Sequence, residues 1–200
     1  MRDSIQIRPA QPGDAEVAAV LLASAYTHTP VTYPLREEHE NGWIKRLQDF
    51  FRQDGNRFSY QNIQIAEQGT EVIGLILSFG GRDEARLNAA AGSWLKREAK
   101  DDEWYVDALA VLKNWGRKGI GTRLLHTAEQ QARQHHYPKI ALNVAQGNKQ
   151  ALDLYTQLHY VITQQTFLYQ RPHVRMVKTL ENGEQRNDGN VSEDGKAAWT

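Results

Sequence analysis

The sequence predicts a mixed α/β fold, with one domain of alternating strands and helices over residues 1–180 and a polar tail after it. Strand-like and helix-like apolar periodicities alternate along the chain. A strand, a helix and a second strand follow one another across residues 104–144, and such a βαβ unit has parallel strands joined by a right-handed crossover. A hairpin pattern nearer the N-terminus adds antiparallel strands, so the predicted sheet is mixed.

The first half of the chain predicts three strands and two helices, followed by an insert. Each strand alternates in polarity or is continuously apolar, and each helix has apolar residues three or four apart. The elements are a strand at 5–9, a helix that begins at Gly13-Asp14, a helix at 36–51, and strands at 61–67 and 71–79 around the turn Gln68-Gly69-Thr70. In the insert, residues 80–102, the stretch 86–100 has helical spacing.

The second half predicts four strands and two helices. They are a strand at 105–111, a helix at 119–136 ended by Pro138, a strand at 139–144, a helix at 148–158, and strands at 160–169 and 173–180. The whole order is β-α-α-β-β-β-α-β-α-β-β, with the insert before the fourth strand.

Composition excludes several kinds of protein and site. Basic and acidic residues each number 24, and a net charge of zero argues against nucleic acid or an anionic membrane as a partner. The absence of cysteine excludes a disulfide framework, a thiolate nucleophile and a cysteine-based zinc site. No apolar run approaches the ~20 residues of a membrane span, and the N-terminus lacks the apolar core of a signal peptide. We therefore expect a cytoplasmic protein with no metal.

Residues 181–200 differ from the rest of the chain. They are rich in acids and glycine, have almost no aliphatic residues and show no periodicity. Such a segment buries too little apolar surface to offset the entropy of ordering. We predict a flexible C-terminal tail.

A glycine-rich loop between a strand and a helix is the clearest chemical signal. Residues 116–121 read Gly-Arg-Lys-Gly-Ile-Gly. Helix N-termini carry unpaired N–H groups and partial positive charge, glycines admit a ligand close to the backbone, and Arg117 and Lys118 add full charges. The loop predicts a phosphate or pyrophosphate site. It is not a Walker A motif, and the next strand lacks the terminal acid of a dinucleotide-binding fold.

Segment 105–160 resembles the acetyl-CoA-binding core of the GNAT superfamily of N-acetyltransferases. The family loop Gln/Arg-x-x-Gly-x-Gly/Ala and its pattern Leu-x-Val…Asn-x-x-Ala-x-x-Leu-Tyr both recur in order. The matching residues are Leu109-Ala110-Val111, Gly119-Ile120-Gly121, Leu142-Asn143-Val144, Asn148, Ala151 and Leu154-Tyr155. One departure is Gly116 at the position of the usual Gln or Arg, with the arginine displaced to Arg117. The resemblance implies a GNAT-like fold over most of 1–180.

The resemblance also implies how acetyl-CoA is held. In this family the strand equivalent to 105–111 separates from the one equivalent to 139–144, and the pantetheine arm lies between them like an added strand. Main-chain groups of the first strand then face pantetheine and the acetyl carbonyl, and the loop receives the pyrophosphate. The implied cofactor contacts are Leu109, Ala110, Val111, Arg117, Lys118, Gly119, Ile120, Gly121, Thr122 and Asn148.

Two residues are candidates for proton transfer. By the resemblance, Tyr155 is the acid that protonates the leaving thiolate, although a packing role for this tyrosine stays open. Strand alternation places Tyr105, Asp107 and Leu109 on one face, where family members often carry the general base. Asp107 is the first choice and Glu103 the reserve. An acid in an apolar strand is costly to bury alone, so a nearby cation is the alternative reason for Asp107.

The acceptor is expected to be the primary amine of a small molecule, bound between the N-terminal helices and the final strands. Candidate pocket residues are Tyr26, His28, Tyr33, Trp43 and Tyr169, and packing in the core or at its rim is the alternative role for each. Asn143 stands where acetyltransferases of protein N-termini often carry glutamate, which argues against that substrate. The alternatives are a non-catalytic acyl-CoA-binding domain, a protein-directed or tRNA-directed acetyltransferase, and a nucleotide-binding protein. A homodimer is left open.

Overall fold

The computed structural model describes residues 4–27, 42–92, 95–168 and 170–180. Within them the chain forms one mixed sheet of seven strands in the order β1-β2-β3-β4-β5-β7-β6. The strands are β1 (Ile5–Pro9), β2 (Ile63–Gln68), β3 (Glu71–Gly80), β4 (Glu103–Val111), β5 (Lys139–Ala145), β6 (Val161–Leu168) and β7 (Arg171–Thr179). The pair β4–β5 is parallel and all other neighbours are antiparallel. The predicted mixed α/β fold is confirmed.

Helices cover both faces of this sheet. They are α1 (Ala15–Thr27), α2 (Gly42–Arg52), α3 (Glu84–Ala91), α4 (Ile120–Gln134) and α5 (Lys149–Gln157). On one face, Leu21 of α1 and Phe51 of α2 share a buried cluster with Leu75 of β3. On the other, Leu124 of α4 packs with Ile76 of β3. Because both of its faces are covered, β3 is apolar along almost its whole length.

The β2–β3 hairpin and the order of elements agree with the sequence analysis. Gly69, between the two strands, has a φ of 60°, a conformation that favours glycine. The predicted start of the second helix at Arg36 and the predicted tail 181–200 both lie outside the described residues, and the tail stays a prediction.

The prediction of a helix over 86–100 is wrong in its extent. Helix α3 ends at Ala91, and Gly92 follows it with a φ of 131°. The carboxylate of Glu84 accepts the backbone N–H groups of Glu98 and Ala99, each at 2.8 Å. Residues 95–100 are therefore held as irregular chain against α3, because a buried side chain takes the donors that a helix would have used.

A β-bulge interrupts β4 at Asp107. In the β3–β4 ladder Leu77 pairs with Ala108 and Ser78 pairs with Val106, so Asp107 is the extra residue. The bulge shifts the alternation of side chains by one residue. The predicted shared face of Tyr105, Asp107 and Leu109 is consequently wrong, since Leu109 packs with α4 on the opposite face from Tyr105.

Strands β4 and β5 separate after four paired residues. Their parallel pairing ends at Val106–Leu142, whereas β4 continues to Val111 and β5 continues to Ala145. The diverging halves open a gap in the middle of the sheet. This gap positions the candidate site.

Candidate active site

A cleft of about 1510 Å³ begins in the gap between β4 and β5. It runs past the N-terminal ends of α4 and α5, and residues Ser24 and Ala25 of α1 border it on the other side of the sheet. Of the twelve residues that the sequence analysis assigned to catalysis or cofactor binding, Lys118 does not line the cleft. The others do: Asp107, Leu109, Ala110, Val111, Arg117, Gly119, Ile120, Gly121, Thr122, Asn148 and Tyr155.

The glycine-rich loop forms the N-terminal end of α4. Arg117 and Gly119 both have positive φ, 60° and 76°, so the backbone is left-handed at both positions just before the helix begins at Ile120. The first N–H groups of a helix have no acceptor within the helix, and here they point toward the cleft end where the loop lies. The first turn of α4 contains no acid. The loop is therefore an electropositive cradle of backbone donors.

The two cations of the loop are placed differently. Arg117 is exposed at the edge of the cleft. The Lys118 ammonium lies 4.2 Å from the centroid of the Trp115 ring, which is a cation–π contact that holds this side chain beside the loop.

The backbone of β4 presents alternate residues to the cleft. The N–H of Leu112 donates to the Ile73 carbonyl of β3, at 2.9 Å. Backbone N–H and C=O groups alternate in direction along a strand, so those of Ala110 point to β3, as those of Leu112 do. The N–H and C=O of Leu109 and Val111 point the other way, into the gap left where β5 has separated. An extended ligand could pair with these groups as a missing strand does.

Helix α5 contributes Asn148 and Tyr155. Asn148 is the N-cap of the helix, and its side chain accepts the N–H of Ala151 at 3.1 Å. Tyr155 is mostly buried, packs near Tyr160 and lines the cleft. Burial raises the pKa of Tyr155 to about 12, so the phenol stays protonated at neutral pH and is able to donate a proton or a hydrogen bond.

Asp107 is paired with a nearby cation, which the sequence analysis gave as the alternative explanation for a carboxylate in this strand. Arg57 binds both of its carboxylate oxygens, with Nη2–Oδ1 at 2.6 Å and Nε–Oδ2 at 2.7 Å. The Tyr26 hydroxyl also donates to Oδ2 at 2.7 Å. Burial disfavours the charged form of Arg57, but the ion pair with Asp107 outweighs this and raises the pKa of the guanidinium.

Arg57 is the centre of a buried polar network that sequence reasoning missed. Its guanidinium also contacts Glu84 at 3.2 Å and Glu98 at 3.4 Å, and only 1% of its side chain is exposed. Arg57 lies between helix and strand patterns, and Glu98 falls in the insert that was predicted as helix. No motif marks either residue. Tyr26 is the one member of the network that the sequence analysis placed at the acceptor pocket.

Glu103, the reserve candidate for the base, is engaged elsewhere. It is buried and forms an ion pair with Arg175 of β7, while its carboxylate also accepts the N–H of Lys100 at 3.0 Å. It stands at the start of β4, four residues before the bulge. Glu103 therefore links β4 to β7 through a side-chain ion pair, and it does not line the cleft.

The described part of the chain contains neither a membrane-spanning helix nor a cluster of metal ligands. None of its helices combines the length and the apolar character that a membrane crossing requires. Within the same residues, no group of three or more histidine, aspartate or glutamate side chains is arranged to hold a metal ion.

Comparison with known proteins agrees with this geometry. A model of the acetyltransferase (GNAT) family matches residues 22–160. The chain belongs to this family. The resemblance seen in the sequence is thus confirmed, and the matched region contains most of the residues that line the cleft.

Solved structures with the same fold match most of the chain. An N-acetyltransferase from Staphylococcus aureus Mu50 is 25% identical, with a TM-score of 0.73 over 86% of this chain and all of that one. The NatC complex bound to Gag peptide and CoA contains a chain that is 17% identical, with a TM-score of 0.58 over 89% of this chain and 99% of that one.

One curated relative matches a shorter region. Streptothricin acetyltransferase A from Bacillus subtilis (strain 168) is 34% identical over 57 residues, which are 28% of this chain. The chain thus spans about a third, 33%, of the length of this relative.

Proposed function

We propose that the protein transfers an acetyl group from acetyl-CoA to the primary amine of a small molecule. The observation that carries the proposal is the gap where β4 and β5 part, because it joins an anion cradle to a strand edge with unused backbone groups. Membership of the GNAT family supports acetyl transfer. The relative named for streptothricin supports a small-molecule acceptor.

The residues around the cleft suit acetyl-CoA in three ways. The loop 116–122 offers backbone donors and Arg117 to the pyrophosphate. The backbone groups of Leu109 and Val111 suit the pantetheine arm and the acetyl carbonyl. A neighbour in the fold comparison is bound to CoA, which supports the same cofactor here.

The reaction needs two proton transfers. The amine nitrogen bonds to the acetyl carbon and loses a proton, while the carbon–sulfur bond breaks and the CoA thiolate gains one. We propose Tyr155 as the donor to the thiolate, because its hydroxyl is protonated at neutral pH and its residue lines the cleft.

Asp107 remains our proposed acceptor of the amine proton. Its place at the bulge brings it to the cleft where the strands part. Both of its carboxylate oxygens are already engaged by Arg57, and Tyr26 also donates to one of them, so a role in positioning Arg57 and Tyr26 is the alternative. The pH dependence of an Asp107 variant separates the two roles.

Binding and turnover are tested separately. Acetyl-CoA should raise the melting temperature, since a ligand of the native state stabilises it by mass action, whereas ATP and NAD should not. Gly119→Glu and Gly121→Glu should each abolish the shift by placing bulk and negative charge at the cradle, with the exposed Gly13→Glu as control. A shift that persists in both folded variants would refute the loop assignment.

Turnover distinguishes an enzyme from a non-catalytic binding domain. Release of free CoA should be measured with a panel of amines that differ in charge, such as 1,5-diaminopentane, n-butylamine and 6-aminohexanoate, beside peptides with a free N-terminus. Acetyl transfer to a small amine in preference to the peptides supports the proposal. A thermal shift with no turnover would favour the binding domain.

A further inference from the structure

Asn143 occupies the position on β5 where the gap opens. It follows Leu142, the last β5 residue that pairs with β4, and it lines the cleft. Its side chain lies on the same side of the sheet as Tyr105 and the Arg57 network, because its Nδ2 donates to Glu98 Oε2 and to the Tyr105 hydroxyl, both at 3.0 Å. Asn143 is therefore the point where the polar network reaches the cleft.

The hydrogen bonds determine which way the amide points. A carboxylate can only accept, and the Tyr105 hydroxyl gives its own hydrogen to Glu98 Oε2 at 2.8 Å, so it too accepts from Asn143. Burial, together with the charge of Glu98, raises the pKa of Tyr105 well above its usual value, so the phenol keeps that hydrogen. Both N–H groups of Asn143 are thereby used, and the oxygen Oδ1 is directed away from the network.

The charge around Asn143 favours a cation. Among the described residues, four buried or nearly buried carboxylates, those of Glu84, Glu98, Glu103 and Asp107, face three guanidinium groups. Two of these, Arg57 and Arg175, are buried, and the third is the half-exposed Arg97, whose Nε lies 3.9 Å from Glu84 Oε2. The surplus of carboxylates makes this side of the gap electronegative. A protonated amine is drawn to such a site.

We propose that Asn143 Oδ1 binds the nitrogen of a cationic primary amine, with Glu98 and Tyr105 as positioning residues that hold the amide in place. This proposal rests on the proposed function. It adds which group of the protein binds the acceptor amine and which charge the acceptor carries. An amide oxygen accepts an N–H from either the ammonium or the neutral amine. It therefore holds the nitrogen through deprotonation without competing for the proton, and it leaves the lone pair free to attack.

The decisive experiment is a double-mutant cycle on acetyl transfer to the panel amine with the highest rate. Asn143→Ala should lower kcat/KM for the amine about tenfold to a hundredfold, the range for a hydrogen bond to a charged group. The melting shift given by acetyl-CoA should not change. Gln130→Ala, an exposed amide on α4, is the matched control and should leave both measurements unchanged.

The cycle distinguishes positioning from direct action. Glu98→Gln should lower kcat/KM in the wild-type background but add little to Asn143→Ala, because its effect passes through the amide. Equal losses in both backgrounds, or Asn143→Ala with wild-type kcat/KM, would overturn the proposal. Absence of turnover in the wild type would instead count against the proposed function.

A second measurement does not depend on turnover. In the CoA-bound protein, n-butylamine should shift the side-chain amide resonances of Asn143 in NMR spectra, and Glu98→Gln should weaken this response. Unchanged Asn143 resonances at saturating n-butylamine would overturn the proposal even if the protein is an active acetyltransferase.

Discussion

Arg57 and Asp107, fifty residues apart in the chain, form a two-point ion pair at the bulge of β4. The pair connects the loop after α2 to the strand that borders the cleft. A bulge releases one residue from the ladder and redirects its side chain. The ion pair fixes that redirected carboxylate, so the arrangement of polar groups on this side of the gap depends on Arg57 as much as on β4.

Arg57→Met should destabilise the protein more than Asp107→Asn. Removal of the guanidinium leaves three carboxylates without their shared cation, and loss of one partner of a buried ion pair costs about 3–5 kcal/mol. Removal of the Asp107 charge leaves Arg57 with Glu84 and Glu98. Urea unfolding measures both free energies, with the exposed Arg86→Met as control. A loss for Arg57→Met no larger than that of the control would contradict the prediction.

The pH profile of Asp107→Asn tests its role in proton transfer. If Asp107 takes the amine proton, the loss of turnover should be greatest at low pH, where free amine is scarcest, and should shrink as the pH rises. The measurement is the initial rate between pH 6 and 10, roughly the interval between the usual pKa of a histidine and that of an alkyl amine. An equal loss at every pH assigns Asp107 to positioning, and unchanged turnover at neutral pH removes it from the mechanism.

Tyr155→Phe should lower turnover about 10²–10⁴-fold with little change in CoA affinity, as expected for loss of a general acid. Tyr160→Phe is the matched control, because Tyr160 packs beside Tyr155 but its hydroxyl contacts Glu129 at 3.2 Å. Burial raises the pKa of Tyr155 to about 12, so its loss of a proton should reduce the wild-type rate only near that pH. A basic limb that centres near pH 10 and disappears in Tyr155→Phe would contradict the raised pKa, and wild-type turnover in Tyr155→Phe would contradict its role as the acid.

Gly119→Ala should cost roughly 1 kcal/mol of stability through backbone strain. The φ of Gly119 is 76°, whereas the space beside it is open, so no clash contributes. Gly13→Ala also meets open space without a positive φ and is the control. Thermal unfolding without ligand measures the difference. Equal stabilities of the two variants would show that the loop relaxes without strain.

Shortening the chain tests the predicted tail. A chain that ends at Glu181 should fold and bind acetyl-CoA like the full one, because residues 181–200 have too little apolar surface to pack. A chain that ends at Thr179 should be less stable by about 2–3 kcal/mol, since Leu180 is buried and its N–H donates to the Pro138 carbonyl at 2.8 Å. Loss of stability already at Glu181 would show that the tail contributes to the fold.

Local pattern was enough to predict most of the architecture. Apolar periodicity located every strand and the start of α4, because the period of burial follows from the geometry of the element itself. The glycine-rich loop could be located for the same reason, since a helix N-terminus and its glycines are contiguous in the chain. The extent of α3 could not be predicted in this way, because the Glu84 side chain binds backbone N–H donors of a segment fourteen residues away.

The sequence by itself determined the fold class, the order of the elements, the position of the glycine-rich loop before α4 and the family. Tertiary structure alone decided the buried polar network beside the gap. The bulge at Asp107 exists only in the register of β4 against β3, and it reverses the face of Leu109. Arg57, Glu98 and Asn143 meet because three distant segments pack together, and no local pattern encodes such a meeting. Periodicity is a property of neighbouring residues, whereas charge pairing in a buried site is a property of the assembled chain.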